Sequence, residues 1–299
     1  MIFVNSLPVF RAQCTRGWIQ MLHRFLLLSL SMIAVIRPGL LPSSEHGYTG
    51  ISEKLPTGSR VISEKGLVAA FDFETYTEDG LLNDFGPNEN HGKVERTITA
   101  EGLFGRARSF SQVADRVDLP ERNCFDLNGP LTIAAWVQIK TLDLHQHLIA
   151  CDDKFVLWVT EKNEFRFGDT RGHGLTTLEG SALSGDWHSI VAVFYGTLGT
   201  QLSSETIKLF IDGKEAEGAY DRQWIPTSLF PYDACYIGFE SHQNSKAHRK
   251  LQFEGIIDEM LLFSRPLTID EIQVFSTRST SEGIRFFKGD KSLERIKSP

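Results

Sequence analysis

The sequence predicts an all-β sandwich of two antiparallel sheets that ends in one short helix. Residues 131–139, LTIAAWVQI, alternate between two sides, as a strand with differently packed faces does. Many short segments of this kind lie between Gly66 and Ser276, with frequent turns and almost no helical periodicity. Short strands joined by frequent turns are typical of β-sandwiches.

Further strands are indicated along the chain. Residues 154–167, KFVLWVTEKNEFRF, read as two strands around the polar turn 161–163. Residues 189–195, SIVAVFY, are apolar on both sides, as expected of a central strand. Asp212-Gly213 is a strong hairpin signal, because both turn positions require positive φ. Residues 234–240, ACYIGFE, add another strand.

The single helix is predicted after Pro266, in the stretch PLTIDEI. Thr268 can accept hydrogen bonds from the free amides of a first turn, and Glu271, three residues later, completes a capping box. Asp270 and Glu271 also favour a helix start, because negative charge interacts well with the positive end of the helix dipole. One short helix therefore closes the domain.

Composition limits the number of domains and the class of partner. The chain has 299 residues, 41% of them hydrophobic, and a formal net charge of −7. This acidic balance argues against nucleic acid as a partner. The strand pattern predicts a folded domain at 66–277, between a Pro-, Gly- and Ser-rich linker at 37–65 and a disordered tail at 278–299.

The N-terminal residues 1–36 predict a signal or anchor segment. The run His23–Ile36 joins a basic residue to an apolar stretch of signal-peptide length, too short for a comfortable membrane span. Met21 would be a more ordinary start than Met1. We therefore expect a secreted or extracytoplasmic protein, which would contact a membrane only through an uncleaved N-terminal anchor.

The cysteines do not specify a pairing. Cys14 lies in or before the predicted signal, which leaves Cys124, Cys151 and Cys235 in the exported part. One disulfide with one free thiol is one arrangement. Three buried thiols that pack as small apolar side chains is the other, and the sequence favours it slightly.

Several segments resemble the laminin-G-like, concanavalin A-like jelly-roll domains of exported proteins. The resemblance spans about Gly66 to Phe275, and the segments follow in the family's order: GLVAAFDFE, NDFGPNENHGKV, GLFGRARSFSQVADRVDLP, GPLTIAAWVQ, GDWHSIVAVFYG, KLFIDGK, YIGFE and FEGIIDEMLLFSRPLTIDEI. Two features depart from the family pattern. They are Pro87 and a longer loop at 195–208, YGTLGTQLSSETIK.

The resemblance implies a concanavalin A-like jelly-roll sandwich with one C-terminal helix, in a family that includes lectins, adhesion modules and some glycosidases. A shared fold does not by itself give a function. We expect an exported, non-catalytic, lectin-like module that binds glycans or extracellular protein surfaces. The alternatives are an accessory or degenerate domain related to glycoside hydrolases, and a purely structural adhesion module.

Two carboxylates, Asp258 and Glu259, interrupt the apolar run of the last predicted strand. Neighbouring strand residues face opposite sides, so these two cannot act together across one substrate. Alternation would group Asp258 with Met260, and Glu259 with Ile257 and Leu261. The glycosidases of this fold carry acids on alternate strand residues, a spacing that this strand lacks. No catalytic residue is therefore predicted.

A calcium site is the better interpretation of these acids. The resemblance implies a calcium ion near the ends of the first and last strands, which points to Asp72 and Asp258. Asp84 and Asn88, in the turn at 83–92, could complete a shell of oxygen ligands. Alternatively, Asp84 and Asn88 form the turn, and Asp258 accepts hydrogen bonds from backbone amides or an arginine such as Arg265.

The histidines and tryptophans give weaker signals. His145 and His147 could bind zinc, but without a third ligand at a recognisable spacing a solvated loop is favoured. His188 is expected at a strand start, with a structural role. Three tryptophans lie in strand patterns and are predicted to be core: Trp136, Trp158 and Trp187.

Residues 219–235, AYDRQWIPTSLFPYDAC, offer aromatic side chains among polar ones, the composition of a sugar-binding groove. Trp224 and Tyr232 are the candidate ligand-binding residues. Trp224 is the stronger of the two, because its neighbours are polar and Pro226 interrupts any strand. An aromatic lid over the sandwich edge is the alternative, and the sequence favours it slightly.

Overall fold

The computed structural model describes nine ranges of the chain: 61–120, 129–151, 154–169, 172–197, 199–223, 234–239, 251–277, 285–288 and 291–295. All of them belong to one compact unit, Arg60–Pro299. The predicted signal segment and the first part of the linker lie outside the described residues. Within the described part, no helix is both long enough and apolar enough to span a membrane.

Nineteen strands and one helix make up the described part of the unit. In chain order the strands are β1 Ile62–Ser63, β2 Leu67–Phe71, β3 Lys93–Glu95, β4 Ile98–Gly102, β5 Gly105–Phe110, β6 Arg116–Leu119, β7 Leu131–Ile139, β8 Gln146–Cys151, β9 Phe155–Val159, β10 Phe165–Gly168, β11 Gly174–Thr177, β12 His188–Phe194, β13 Ile207–Ile211, β14 Lys214–Glu215, β15 Gly218–Asp221, β16 Cys235–Ile237, β17 Gly255–Phe263, β18 Arg285–Lys288 and β19 Lys291–Arg295. The helix, α1, is Ile269–Ser276.

Two eight-stranded sheets form the sandwich. The front sheet has the order β15-β11-β10-β9-β8-β16-β6-β3. The back sheet has the order β14-β13-β12-β7-β17-β5-β4, and β2 pairs with β17 beside this path. The pairs within both sheets are antiparallel. The predicted all-β sandwich is confirmed.

The core lies between the sheets, and β7 shows how alternation builds it. Leu131, Ile133, Ala135, Val137 and Ile139 all belong to the main buried cluster. Ala134 and Trp136, on the opposite side of the same strand, belong to a second cluster. The predicted two-sided pattern of this strand is confirmed, and both sides are buried.

Two local predictions about chain reversal and capping are confirmed. Asp212 and Gly213 have φ values of 51° and 75° in the turn between β13 and β14. Thr268 caps α1: its hydroxyl oxygen accepts from the Glu271 amide, while the Glu271 carboxylate accepts from the Thr268 amide. These residues specify their turns through local hydrogen bonds and φ preferences.

Helix α1 covers part of the outer face of the back sheet. Phe275 lies 6.3 Å from Trp136, ring centroid to centroid, and Phe104 meets the same indole edge-on at 5.6 Å. Ile272 and Phe275 join these rings in the second apolar cluster. Trp136 is therefore buried as predicted, and Trp187 packs partly buried against the same cluster.

A network centred on Arg265 and Glu271 joins the first described residues to the helix start. Both guanidinium terminal nitrogens of Arg265 donate to the Glu271 carboxylate, at 2.7 and 2.8 Å. Arg265 also donates to the carbonyls of Ser63 and Lys65, and Glu271 accepts from the Ser63 amide. Burial alone would raise the pKa of Glu271, but these donors lower it below its usual value.

A third, three-stranded sheet lies outside the predicted 66–277 domain. Ile62–Ser63 pairs in parallel with β18, and β18 pairs with β19. The structure thus places strands in segments that the sequence assigned to a linker and to a tail. The domain limits of 66–277 stay a prediction.

Cys151 and Cys235 form a disulfide between directly opposed positions of β8 and β16. The slightly favoured arrangement of three free buried thiols is therefore wrong. The two cysteines are 84 residues apart, so local sequence could not pair them; the strand register brings them together. Cys124 lies outside the described residues.

Candidate functional site

Asp84 organises the turn that follows β2. Its Oδ1 accepts from the amides of Ala70 and Gly86, and its Oδ2 from the amide of Asn90, all at 2.7 Å. Burial raises the pKa of Asp84, and these amides oppose that shift by stabilising the charged form. Asn88 donates its side-chain amide to the Val68 carbonyl at 3.0 Å. Asp84 thus holds the turn through its backbone amides, and Asn88 ties the turn to β2.

Asp258 lies at a bulge in the back sheet. It pairs with Trp136 across β7, and the register shifts between Asp258 and Leu261. Its Oδ2 accepts from the Phe104 amide at 3.0 Å. Gly102 allows this approach, because a Cβ there would lie 2.6 Å from the same oxygen. Asp258 is thus a buried carboxylate that accepts from a backbone amide, whereas Arg265 pairs with Glu271.

The bulge overturns the simple alternation predicted for β17. Ile257 and Met260 both belong to the main cluster, whereas Leu261 belongs to the second one. Glu259, between them, takes the unusual φ of 50°. The grouping of Met260 with Asp258 is therefore wrong, because an extra residue in a bulge exchanges the two faces beyond it.

The four predicted calcium ligands do not form one cluster. Among the residues that the structure describes, no group of three or more His, Cys, Asp or Glu side chains is placed to hold a metal ion. Asp72 accepts from the Glu74 amide at 2.9 Å, while Asp84 and Asn88 serve the turn and Asp258 meets Phe104. The donor set as it stands does not fit the predicted shell, and calcium stays an untested prediction.

Asp72 supplies a test of that prediction. Burial raises its pKa from 3.8 to about 6, against the hydrogen bond from the Glu74 amide. Its contribution to stability is therefore full below about pH 4 and is lost as the pH rises through about 6. Without metal, Asp72→Asn should raise the melting temperature near pH 7 and leave it unchanged near pH 4.

If calcium is bound, Asp72→Asn should change the melting temperature in the opposite direction. An ion that binds only the folded protein stabilises it, so chelator should lower the melting temperature of the wild type. Asp72→Asn should also lower the melting temperature, and chelator should then have no further effect. Melting curves of both proteins at the two pH values, with calcium and with chelator, separate the cases. A wild-type melting temperature that does not change with chelator would contradict the calcium prediction.

The outer face of the front sheet carries a stack of polar rings around Trp158. Leu157 and Val159 point into the main core, so Trp158, between them, faces outward. His145 and His147 stack on this indole at 6.1 and 6.0 Å, and the two imidazoles lie 4.9 Å apart. We call His145, His147, Trp158 and Arg166 the front-face stack.

Arg166 completes the front-face stack on its other side. Its guanidinium lies 5.1 Å from the centroid of the Trp158 ring, and the register pairs the two residues across β9 and β10. The same guanidinium donates to the Gly172 carbonyl and forms an ion pair with Asp221 at 3.2 Å. Its buried Nε has no hydrogen-bond partner among the described residues. Arg166 is thus held in place by the indole ring, a carbonyl and a carboxylate.

One sequence prediction is confirmed here and one is corrected. Trp158, predicted as core, is only 5% exposed and packs in a three-residue buried cluster with Ala150 and Val156. His147, assigned to a solvated loop, lies within β8, is 2% exposed and donates its amide to the Leu251 carbonyl. His188 begins β12 and contacts Asp212 at 2.7 Å, as its predicted structural role requires.

The sequence did contain a signal for the front-face stack. Counting outward from the three-residue turn at 161–163 places Trp158 opposite Arg166 in the hairpin, and cross-strand neighbours contact each other. The predicted sugar-binding residues Trp224 and Tyr232 lie outside the described residues. Further along the same face, Tyr236 packs edge-on against Phe239, and Arg116 pairs with Asp118.

Comparison with known proteins matches the chain to one family. Residues 111–273, more than half of the chain, match the laminin G model described as the concanavalin A-like lectin/glucanases superfamily. No curated protein matches the chain.

Solved structures share the fold at low sequence identity. Trypanosoma rangeli sialidase in complex with a difluoro-nononic acid has a TM-score of 0.52 at 15% identity; the match covers 80% of this chain and 36% of that one. A second structural neighbour is domain 4 of an extracellular arabinanase from Geobacillus stearothermophilus, in complex with arabinotriose. Its TM-score is 0.50 at 14% sequence identity, and the match covers 70% of this chain and 98% of the domain.

The binding domain of Paraclostridial mosquitocidal protein 1 is a further structural neighbour. Its TM-score is 0.50 at 14% identity, over 72% of this chain and 52% of that one. The chain thus spans about a third of the sialidase it matches and almost all of the arabinanase domain. Likeness at this level of identity shows a common fold.

Proposed function

The chain belongs to the concanavalin A-like lectin/glucanase superfamily, and from this membership we propose that it is a non-catalytic module that binds glycans through the outer face of its front sheet. The accessible part of the front-face stack, Arg166 with its partner Asp221, carries the proposal. Helix α1 and the second apolar cluster cover the outer face of the back sheet, whereas aromatic and charged side chains occupy that of the front sheet.

The chemistry of Arg166 and Asp221 suits sugar hydroxyls. A fixed guanidinium donates to hydroxyl oxygens, and a neighbouring carboxylate accepts from hydroxyl groups. Arg166 is immobilised by Trp158, Gly172 and Asp221, so little side-chain entropy is lost when it binds. The arabinanase domain with its arabinotriose supports the class of ligand by analogy of fold.

The described acids support a binding rather than a catalytic role. Glycoside hydrolysis uses two carboxyl groups that face one substrate, on opposite sides of the scissile bond. Asp258 and Glu259 are 0% and 4% exposed, and Asp258 accepts from the Phe104 amide on the side of the sheet where the second apolar cluster lies. Hydrolysis of a polysaccharide panel by the purified protein would contradict this part of the proposal.

Export is the second part of the proposal. The apolar run at His23–Ile36 has the pattern of a signal or anchor. The disulfide between Cys151 and Cys235 supports an oxidising compartment, because structural disulfides persist outside the cytosol. We therefore propose that the module acts outside the cytosol, where glycans and extracellular proteins are its partners.

Arg166→Ala tests the binding face. We expect this change to weaken glycan binding at least about tenfold, because it removes the immobilised donor of the front-face stack. The measurement is a glycan array with the wild-type protein, followed by titration of the best-bound glycan against the variant.

Arg116→Ala is the matched control. Arg116 lies on β6 of the same sheet, four strands and thus about 19 Å from Arg166, and it is paired with Asp118 at 2.5 Å. The control should retain wild-type affinity. Loss of binding in neither variant would show that the glycan does not contact the front-face stack, and equal loss in both would contradict the assignment of binding to that stack rather than to the whole face.

A further inference from the structure

A concave site lies at one edge of the sandwich. This edge pocket has a volume of about 480 Å³ and is lined by Ser204, Glu215, Ala216, Glu217, Gly218 and Tyr220. Its walls come from β14, the edge strand of the back sheet, from β15, the edge strand of the front sheet, and from the loop before β13. The pocket therefore lies where the two sheets end side by side.

Hydrogen bonds fix the loop that supplies Ser204. The Ser203 amide donates to the Thr206 hydroxyl at 2.9 Å, and that hydroxyl donates to the Gln201 carbonyl at 3.0 Å. Leu202 is buried in the main cluster, and its amide donates to the Arg222 carbonyl just after β15. This loop is the segment at 195–208 that departs in length from the family pattern.

The opposite wall is fixed through the backbone. A Cβ at Gly218 would lie 2.2 Å from the Thr176 carbonyl oxygen, so β15 approaches β11 more closely there than a larger residue would allow. The Glu217 carbonyl accepts from the Leu178 amide, and the Ala216 amide donates to the Leu209 carbonyl. The groups that line the pocket therefore lie on paired backbone.

The pocket offers one ring and two carboxylates. The Tyr220 side chain is 37% exposed, so part of its ring is open to a ligand. Lys208 neutralises Glu215 at 2.8 Å, whereas the Glu217 carboxylate has no ion pair among the described residues. A ring face packs on the C–H face of a sugar, and carboxylates accept from its hydroxyl groups.

Charge narrows the class of ligand. The uncompensated Glu217 carboxylate repels anionic sugars, whereas the Tyr220 ring and the carboxylates suit the C–H face and the hydroxyl groups of a neutral one. We propose that the edge pocket binds one residue of a neutral saccharide, which would make the module bivalent. The proposal rests on the proposed function only in that the ligand is a saccharide.

Saturation-transfer NMR on the intact exported protein tests the edge pocket. The probes are the methyl glycopyranosides of glucose, galactose and mannose, each at about 10 mM, a concentration that saturates a site of millimolar dissociation constant. Choline serves as the cationic probe. The variants are Tyr220→Ala, Glu217→Gln, Tyr220→Phe and, on the front face, Arg166→Ala.

We expect at least one neutral glycoside to give a signal that falls about fivefold or more in Tyr220→Ala and Glu217→Gln. Tyr220→Phe, which keeps the ring, should retain it. A signal that survives Tyr220→Ala but disappears in Arg166→Ala would overturn the edge pocket and leave the proposed function standing. Preferential binding of choline, or no signal with any sugar, would overturn the saccharide assignment, and retained array binding would then still support the front face.

Discussion

Loss of the Cys151–Cys235 disulfide is expected to lower the free energy of unfolding by about 4 kcal/mol. The bond closes a loop of 84 residues, and a cross-link over such a distance restricts the unfolded chain strongly. For a domain of this size, the melting temperature should fall by roughly 10 °C. The measurement is thermal and denaturant unfolding of the wild type and of the double variant Cys151→Ala/Cys235→Ala.

Reductant separates the cross-link from the two side chains. It should destabilise the wild type by nearly as much as the double substitution does, because both remove the same constraint. It should leave the double variant unchanged. If the two proteins unfold at the same denaturant concentration, the disulfide contributes nothing to stability and its assignment is wrong.

Arg265→Ala is expected to lower the free energy of unfolding by about 3 kcal/mol. Glu271 is 2% exposed, and the substitution leaves its carboxylate buried without its bidentate partner. The lowered pKa of Glu271 sets the pH window of this contribution. A depressed folded pKa gives stability that is present at neutral pH and is lost as the pH falls through that pKa, so the wild type and the variant should converge in acid.

An exposed ion pair provides the control for Arg265. Lys208→Ala breaks the pair with Glu215, whose side chain is 43% exposed, and should change the free energy of unfolding by less than about 1 kcal/mol. The double variant Arg265→Ala/Glu271→Leu should recover part of the loss, because no charge is then buried. Additive losses in the double variant would show that the two residues do not act together.

Features encoded by a few neighbouring residues could be predicted from the sequence. Thr268 and Glu271 are three residues apart, and Asp212-Gly213 needs only its own φ angles, so the helix cap and the hairpin follow from local chemistry. The alternation of β7 was readable because the strand runs nine residues without a bulge. The family resemblance then supplied the order of the strands.

Features that depend on pairing between distant strands could not be predicted. The bulge after Asp258 is defined by its pairing with Trp136 and Ala134 of β7, and the local sequence of β17 does not predict it. The stacking of His147 on Trp158 requires the register of β8 against β9, and the disulfide requires that of β16 against β8. The sequence therefore predicted ligand-binding residues, Trp224 and Tyr232, in a loop. The residues of the front-face stack lie in or beside strands and were not predicted as a group.

The pairing of β17 also determines when the back sheet can be completed during synthesis. This strand lies between β7 and β5 in the back sheet and pairs in addition with β2, the first long strand of the chain. A ribosome makes β17 last among them, so the back sheet stays incomplete until residue 263 has emerged. Contacts this distant in sequence also slow folding, into the range of milliseconds to seconds typical of all-β domains. Under the proposed export, this order of synthesis would keep the chain unfolded for longer, because the strand that completes the back sheet is made last.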